Sequence, residues 1–184
     1  MFKAPCLLVC RNNGWAISVP RSIQTASATF AQKAIAYGMP GVLVDGNDIL
    51  AMIHVVREAA ARARAGEGPT MIECLTYRRQ GHSSSDDPSV YRDPNEPKQW
   101  ESNDPIERFR RYLTKKKLWT EAWERELTAE IEAEIIATHD AVKDLPGPAV
   151  ETIFDDVFEK PTWILEEEKA WLMSQARTKS FHAH

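Results

Sequence analysis

Two stretches of the sequence gather residue types that bind anions and metals or move protons. In Arg11-Asn12-Asn13-Gly14-Trp15, an asparagine side-chain oxygen is a hard, neutral ligand suited to magnesium, and the neighbouring arginine offers paired donors for a phosphate. In Gly81-His82-Ser83-Ser84-Ser85-Asp86-Asp87, neither helical nor strand periodicity accounts for a histidine flanked by glycine and hydroxyls. A loop histidine donates hydrogen bonds or transfers protons near neutral pH. Each stretch also has a plainer reading. From these residues alone Asn12-Asn13-Gly14 reads first as a turn, because Asn and Gly tolerate left-handed backbone, and His82 as a surface-loop residue without a task. Ser83, Ser84 and Ser85 lack the strand-turn-helix elbow of a nucleophilic serine and read as a hydroxyl-rich loop.

The remaining candidates are assigned no chemistry. His54 falls inside a predicted helix, His139 near a helix end, and His182 and His184 in a terminal tail. Cys6, Cys10 and Cys74 form no CxxC pair and sit in or beside apolar runs, so they read as reduced core residues of a cytosolic-type compartment.

Three short apolar runs supply the elements that must position these loops. Cys6 to Cys10 stops abruptly at Arg11, as a strand buried on both faces would. Val42 to Val44 and Met71 to Tyr77 are the second and third. Between the first two, Phe30, Ala34 and Tyr37 predict a helix from Gln24 to Tyr37, stopped by Gly38, Met39 and Pro40. Between the second and third, a helix is predicted from about Asp48 to Ala65, capped by Asn47 and ended by Gly66 to Pro69. Strands alternating with helices imply right-handed crossovers, hence an α/β domain whose parallel sheet carries helices on both faces. Ligands bind at the carboxyl ends of such strands. The loops at Arg11 to Asn13, Asp45 and Arg78 to Asp87 all follow a strand, so they are predicted to face one pocket.

Beyond Trp100 the pattern becomes helical. Asp104-Pro105 reads as a helix start, Glu121 to Val142 as a charge-rich amphipathic helix, Pro146-Gly147-Pro148 as its break, and the segment around Trp171 as a last helix. The expected division is residues 1–100 as an α/β unit and 101–184 as a mainly helical extension.

Composition removes whole classes of function. With 43% hydrophobic and 27% charged residues, the chain has the balance of a folded globular protein. A net charge of -4 offers no positive field for nucleic acid, and Lys115 to Lys117 reads as a solvated helix end. No segment approaches the roughly 18 apolar residues of a membrane span. The opening residues lack the pattern of a signal peptide, and there is no complete Gly-rich phosphate loop of the kind an unrelated nucleotide-binding domain needs.

Taken in order, the blocks resemble a known family. Cys10-Arg11-Asn12-Asn13-Gly14-Trp15-Ala16-Ile17-Ser18 resembles the distal half of the thiamine-diphosphate motif of 2-oxo acid dehydrogenase alpha subunits, which opens with Gly-Asp-Gly and closes with paired asparagines. Val44-Asp45-Gly46-Asn47-Asp48 matches a second block, and Glu73 to Arg92 is similar to the family's histidine-containing active-site loop. The likeness continues through Asp104-Pro105-Ile106 and Leu118-Trp119 to Phe154-Asp155-Asp156-Val157.

The resemblance implies thiamine diphosphate and Mg2+ as cofactors. Arg11 would contact the diphosphate, the Asn13 amide oxygen and the Trp15 backbone carbonyl would ligate the metal, and His82 would hold the phosphate region and assist acyl transfer to lipoyl-lysine. Many relatives carry tyrosine in place of Trp15, a change that leaves a carbonyl ligand intact. Arg78, Asp86, Tyr91 and Arg92 match the loop that orders against the lipoyl domain. Ser83 stands where mitochondrial relatives are phosphorylated, while a second regulated serine of some relatives falls at Asp93.

The partners so implied are a beta subunit in an alpha-two beta-two assembly, which supplies the glutamate that activates the cofactor, and a lipoyl-bearing acyltransferase core. The 184 residues contain no Gly-Asp-Gly. That half of the motif is expected upstream of Met1, making the chain a fragment, a split gene product or a misplaced start with exposed sheet edge and apolar surface. The patterns look closest to branched-chain enzymes, with pyruvate or acetoin enzymes as alternatives and a noncatalytic assembly module as the reading from another class. The expected location is the cytoplasm, or the mitochondrial matrix in a eukaryote.

Overall fold

The three apolar runs become three parallel strands, but their order in space is not their order in the chain. In the computed structural model, which describes residues 2–155 and 158–175, β1 (Leu7–Asn12) and β4 (Gly41–Asp45) both pair with β5 (Thr70–Leu75), which lies between them. Asp156, Val157, His182 and His184 lie outside the described residues. The register sets Cys10 beside Glu73, Arg11 beside Cys74, Asn12 beside Leu75 and Val44 beside Cys74. Because successive side chains alternate across a sheet, Ile72 and Cys74 face one side and Glu73 the other.

The first side is covered by α2 (Ile49–Arg64). Ile72, Cys74, Val44 and Ala59 form a buried cluster there, with Leu7, Met52 and Val55 packed against it. Burying a side chain of the size of Ile72, which is 0% exposed, contributes about 1.5–3 kcal/mol. The cap of α2 is Asp48, whose carboxylate accepts the Leu50 and Ala51 amides, and not Asn47 as predicted. Asn47 donates its own amide to Asp45 and so belongs to the preceding turn.

On the second side the predicted helix from Gln24 to Tyr37 is replaced by three pieces. After a two-stranded hairpin of β2 (Trp15–Ala16) and β3 (Val19–Pro20), α1 (Arg21–Gln24) ends early, residues 25–30 form no helix, and a 3-10 helix runs Ala31–Tyr37. Hydroxyls compete for the amides of this stretch: Thr25 accepts from Ser27 and Thr29 from Gln32. The Arg21 guanidinium also takes the carbonyls of Ser27 and Ala28, at 2.6 and 2.5 Å. The buried face is Ala31 and Ala34, spaced by three as a 3-10 helix requires, while Tyr37 is exposed. Helical structure thus covers both faces of the parallel sheet.

The cysteines divide. Cys74 is buried and Cys10 half-buried, but Cys6 is exposed and precedes the strand, which corrects its reading as a core residue. Leu8 and Val9 on β1 and Leu43 on β4 remain about half exposed on the two outer strands.

Two compact units are present, Met1–Glu124 and Arg125–His184. The first also holds 3-10 helices at Pro88–Val90 and Glu96–Asn103, and α3 (Pro105–Lys115), capped by Asp104 as predicted. Arg108 of α3 reaches Asp45 at 2.5 Å and Asp48 at 2.9 Å. Helix α4 (Glu121–Lys143) runs on into the second unit, which adds α5 (Thr152–Asp155) and α6 (Trp163–Ser174), with Val150 and Phe154 buried. No helix among the described residues is long and apolar enough to cross a membrane.

One glycine shows how closely the second side is packed. A Cβ placed on Gly41 would lie 2.1 Å from the Ala31 carbonyl oxygen, whereas one on Gly147 would meet nothing. Gly41→Ala is expected to destabilise the chain by about 1–3 kcal/mol, and Gly147→Ala by less than about 0.5 kcal/mol, as measured by urea unfolding.

Candidate functional site

At the carboxyl edge the pairing of β1 with β5 continues past both strands. The Asn12 carbonyl accepts the Thr76 amide at 2.8 Å, and the Asn13 carbonyl accepts the Arg78 amide at 3.2 Å. The asparagine turn and the entry to the histidine loop are therefore successive rungs of one ladder. Gly14, at φ +84, makes the turn that β-carbon-bearing residues adopt only with strain.

Within the turn, the Asn13 side-chain oxygen accepts the Trp15 amide at 3.0 Å. An amide oxygen has two lone pairs, so one is left for a further partner. Trp15 lies opposite Pro20 in the hairpin, while the neighbouring rung is closed by the Arg21 amide donating to the Gly14 carbonyl at 2.8 Å. Rungs alternate in an antiparallel pair, so the Trp15 carbonyl is directed away from its partner strand. The Trp15 ring packs 5.5 Å from Tyr91, and its indole N–H donates to Glu96 at 3.3 Å.

Beneath the turn is a buried polar link. Glu73, 1% exposed, accepts the Asn12 side-chain amide at 2.7 Å with one oxygen and the Ala31 backbone N–H at 2.8 Å with the other. The Asn12 side-chain oxygen in turn accepts the Gly14 amide at 3.1 Å.

The histidine loop is organised from its base. Arg92, 7% exposed, donates to the carbonyls of Arg78 and Arg79 at 2.6 and 2.8 Å, and its guanidinium lies over the Tyr77 ring. Arg78 donates to the Ile17 carbonyl and to the Tyr91 hydroxyl, both at 2.7 Å. That hydroxyl donates to Asp86 at 2.6 Å, and the same carboxylate oxygen accepts the His82 backbone N–H at 2.7 Å. The Asp86 carboxyl is held below the usual carboxylate range by the His82 amide first, then by the Tyr91 hydroxyl and the charges of Arg78 and His82. Burial and then the hydrogen bond to Asp86 push the Tyr91 hydroxyl up. The side chains of His82 and Ser83 are exposed.

Two hollows border these loops. One of about 330 Å3 is lined by Asn12, Trp15, Arg21, Tyr77, Glu96 and Trp100 among others, and an open one of about 660 Å3 by Tyr77, Arg78, Arg79, Gln80, Gly81 and Pro97. Loops after β1 and β5 share the first. The loop after β4 does not line it; Asp45 is bonded by Arg108 and by the Asn47 amide, and Asn47 shares a separate, smaller hollow of about 50 Å3 with Tyr77, Arg79 and Trp100. Asn13 and His82 line neither hollow, and Arg11 is exposed on the face opposite to Asn12.

Several residues of this region escaped the sequence reading. Trp100 stacks on Tyr77 at 5.0 Å between ring centroids. The Tyr77 hydroxyl is enclosed without a hydrogen bond of normal geometry and is pushed up to about 12 by burial and then by nearby Glu96. Glu96 and Trp100 carry no local signal. Glu73 does: a carboxylate inside an otherwise apolar strand requires buried donors. The Cys10 and Cys74 thiols are pushed up by burial first, then by Glu73 at Cys10 and by Cys10 at Cys74, which disfavours the reactive thiolate.

Tyr91→Phe removes the hydroxyl that links Arg78 to Asp86, so amide exchange at His82 should quicken while the melting temperature stays near that of the parent. The pH dependence follows from the lowered Asp86 carboxyl. Its contribution to loop order is fully present above the unfolded value near ~3.9 and is lost as pH falls through the lower folded value. His82 amide protection, corrected for intrinsic exchange, should hold from neutral pH to about 4 and collapse only below it. Loss near pH 6 would contradict the assignment to Asp86.

Residues 1–151 match the family described as dehydrogenase E1 component. The chain is 46% identical over 179 residues to the 3-methyl-2-oxobutanoate dehydrogenase subunit alpha of Mycobacterium tuberculosis, covering 97% of this chain and 49% of the relative. It is 45% identical over 168 residues to the pyruvate dehydrogenase E1 component subunit alpha of Staphylococcus epidermidis, covering 91% and 45%. Against the Staphylococcus aureus protein of the same name it is 48% identical over 153 residues, covering 83% and 40%. The chain thus spans about half the length of the curated relatives it matches or somewhat less, and over nearly its whole own length it belongs to the dehydrogenase E1 component family.

Proposed function

We propose that this chain is the portion of a thiamine-dependent 2-oxo acid dehydrogenase alpha subunit that carries the asparagine half of the cofactor site and the loop that meets the lipoyl group. The observation that carries this reading is the continuous ladder from Asn12 and Asn13 to Thr76 and Arg78, which joins a metal-suited turn to a histidine loop. The substrate we infer is a branched-chain 2-oxo acid, supported by the 46% identity over 97% of the chain to a 3-methyl-2-oxobutanoate enzyme subunit. Pyruvate is the alternative, since relatives acting on it reach 45% and 48% over shorter spans.

The donors present suit the cofactor pair. This chain's share of a cation site would be neutral oxygens. The free lone pair of the Asn13 amide oxygen and the outward Trp15 carbonyl are hard donors of the kind Mg2+ accepts together with diphosphate oxygens. Exposed Arg11 supplies a positive fork for the diphosphate. When bound, thiamine diphosphate supplies a carbon nucleophile and an electron sink for decarboxylation. The chain's own residues bind and orient: His82 holds the phosphate region and moves a proton during acyl transfer to lipoyl-lysine. Arg78, Asp86, Tyr91 and Arg92 keep its loop ordered against the lipoyl domain, and Ser83 is where a phosphate would block the entrance.

On this reading residues 1–100 carry the cofactor half and 101–184 make subunit contacts. A beta subunit completes an alpha-two beta-two assembly that works with a lipoyl-bearing acyltransferase core in the cytoplasm.

The test is titration of magnesium and thiamine diphosphate into the chain assembled with a beta subunit and a segment bearing the Gly-Asp-Gly half. Saturable binding and 2-oxo acid decarboxylation are expected, and failure to bind would leave a noncatalytic assembly module. In that assembly Asn13→Ala should raise the magnesium and cofactor requirement on the order of tenfold or more. His82→Ala should slow lipoyl acylation by about a hundredfold at a matched melting temperature.

A further inference from the structure

We propose that Glu73 is the positioning residue of the asparagine turn, fixing the direction in which Asn12 presents its amide and thereby the pose of Asn13 and Trp15. This rests on the cofactor reading above and goes beyond it, since Glu73 itself would touch neither metal nor diphosphate.

The case is one of donor and acceptor order. The link reads Ala31 N–H to Glu73 at 2.8 Å, Glu73 to the Asn12 amide nitrogen at 2.7 Å, and the Asn12 amide oxygen to Gly14 N–H at 3.1 Å. Both ends are backbone N–H groups, which can only donate. Asn12 and Glu73 must therefore offer an acceptor outward at each end and one donor between them. A carboxylate and an amide meet that requirement. Two amides set donor against donor in the middle, and two ionised carboxylates set acceptor against acceptor, a fault that only a proton shared between them would relieve. Water cannot repair either fault, because Asn12 is 6% and Glu73 1% exposed.

The direction matters because Gly14 turns at φ +84, and its amide is anchored only while Asn12 points its oxygen that way. If Asn12 flips, Gly14 loses its acceptor, and the adjoining turn, in which Asn13 accepts the Trp15 amide, loses its anchor. The two oxygens assigned to magnesium, on Asn13 and Trp15, lie within that turn. Glu73 also ties the turn, through buried Ala31, to the 3-10 helix that covers the same side of the sheet.

The same rule yields a rescue. Glu73→Gln and Asn12→Asp each break the order, but together they restore it, because the new glutamine takes Ala31 with its oxygen and gives its nitrogen to the new aspartate, which accepts Gly14. The experiment measures magnesium and thiamine diphosphate affinity, by calorimetry, in the full chain assembled with a beta subunit and the Gly-Asp-Gly segment. Amide exchange at Gly14 and Trp15 and the melting temperature are measured alongside.

Glu73→Gln, whose donor-against-donor contact no proton can relieve, should weaken cofactor affinity on the order of tenfold or more and quicken exchange at Gly14, and Asn12→Asp should do the same wherever both carboxyls are ionised. The double variant should return affinity to within about threefold of the parent and restore the protection, a coupling that independent sites do not show. A Glu73→Gln variant that binds as the parent does would overturn the proposal, as would a folded double variant no better than Glu73→Gln alone. If a single variant does not fold, the double variant decides by the same criterion. A parent assembly that binds no cofactor would instead overturn the cofactor reading itself, and this inference with it.

Discussion

A carboxylate with almost no solvent has to find donors inside the protein, and the surroundings of Glu73 are arranged around that need. Leaving a buried acceptor unpaired costs more than an ordinary hydrogen bond returns, and bonds to a charged group contribute about 1.5–3 kcal/mol each. The donors come from residues distant in the chain, Asn12 at 61 positions and Ala31 at 42. Satisfying Glu73 therefore sets the end of β1 and the start of the Ala31–Tyr37 turn against the middle of β5. The close approach of Ala31 to Gly41, where a Cβ has no room, follows from the same placement. The apolar cluster under α2 supplies adhesion on the other face, but dispersion and burial are nondirectional and would not by themselves orient a loop.

From that fixed point the asparagine turn and the histidine loop follow in sequence. A parallel ladder that outlasts its strands carries the backbone of Asn12 and Asn13 alongside Thr76 and Arg78. Position along β5 is thus converted into position of the histidine loop relative to the asparagine turn. Side chains then cross the same gap. Trp15 packs on Tyr91 and bonds Glu96, and Arg78 bonds the Ile17 carbonyl of the hairpin. The turn and the loop behave as one structural piece although more than sixty residues separate them.

Much of this was legible in the residues and some was not, for physical reasons. The three strands show because each is a short apolar run ended by polar residues, although only β5 is covered on both sides and β1, expected to be so, leaves Leu8 and Val9 half exposed; the start of α3 shows because Asp104-Pro105 places a cap before a residue preset for the first turn. Strand order does not show, since a parallel strand's neighbour is chosen by a crossover and not by local pattern. The helix read from Gln24 to Tyr37 failed because Thr25, Thr29 and Arg21 offered its backbone other partners. Cys6 passed for a core residue because an apolar run does not reveal where pairing begins. Within the candidate site, residue type and position pointed to Arg11, its neighbouring asparagines and His82, while Trp15 and the loop of Arg78, Asp86, Tyr91 and Arg92 were named only by the resemblance. The support beneath them could not, because the partners of Glu73 are set by tertiary approach alone.

The histidine loop illustrates how an exposed segment keeps a defined shape. Exposed ion pairs are weak, so the contacts around Asp86 cannot anchor the loop by their strength. The anchoring is done at its base by Arg92, buried, with two charge-assisted bonds to the backbone carbonyls of Arg78 and Arg79 and its guanidinium over Tyr77. Arg78, held by that contact, presents its own guanidinium to Tyr91, and Tyr91 and Asp86 then fix only the backbone of His82, leaving the imidazole exposed. Rigidity is graded from the strand end outward. A group proposed to meet a lipoyl arm borne by another protein has to be accessible without being loose, and a loop fixed at its base and tied near its tip through the His82 amide to Asp86 and the Asp86 amide to the Ser83 carbonyl meets both demands at once.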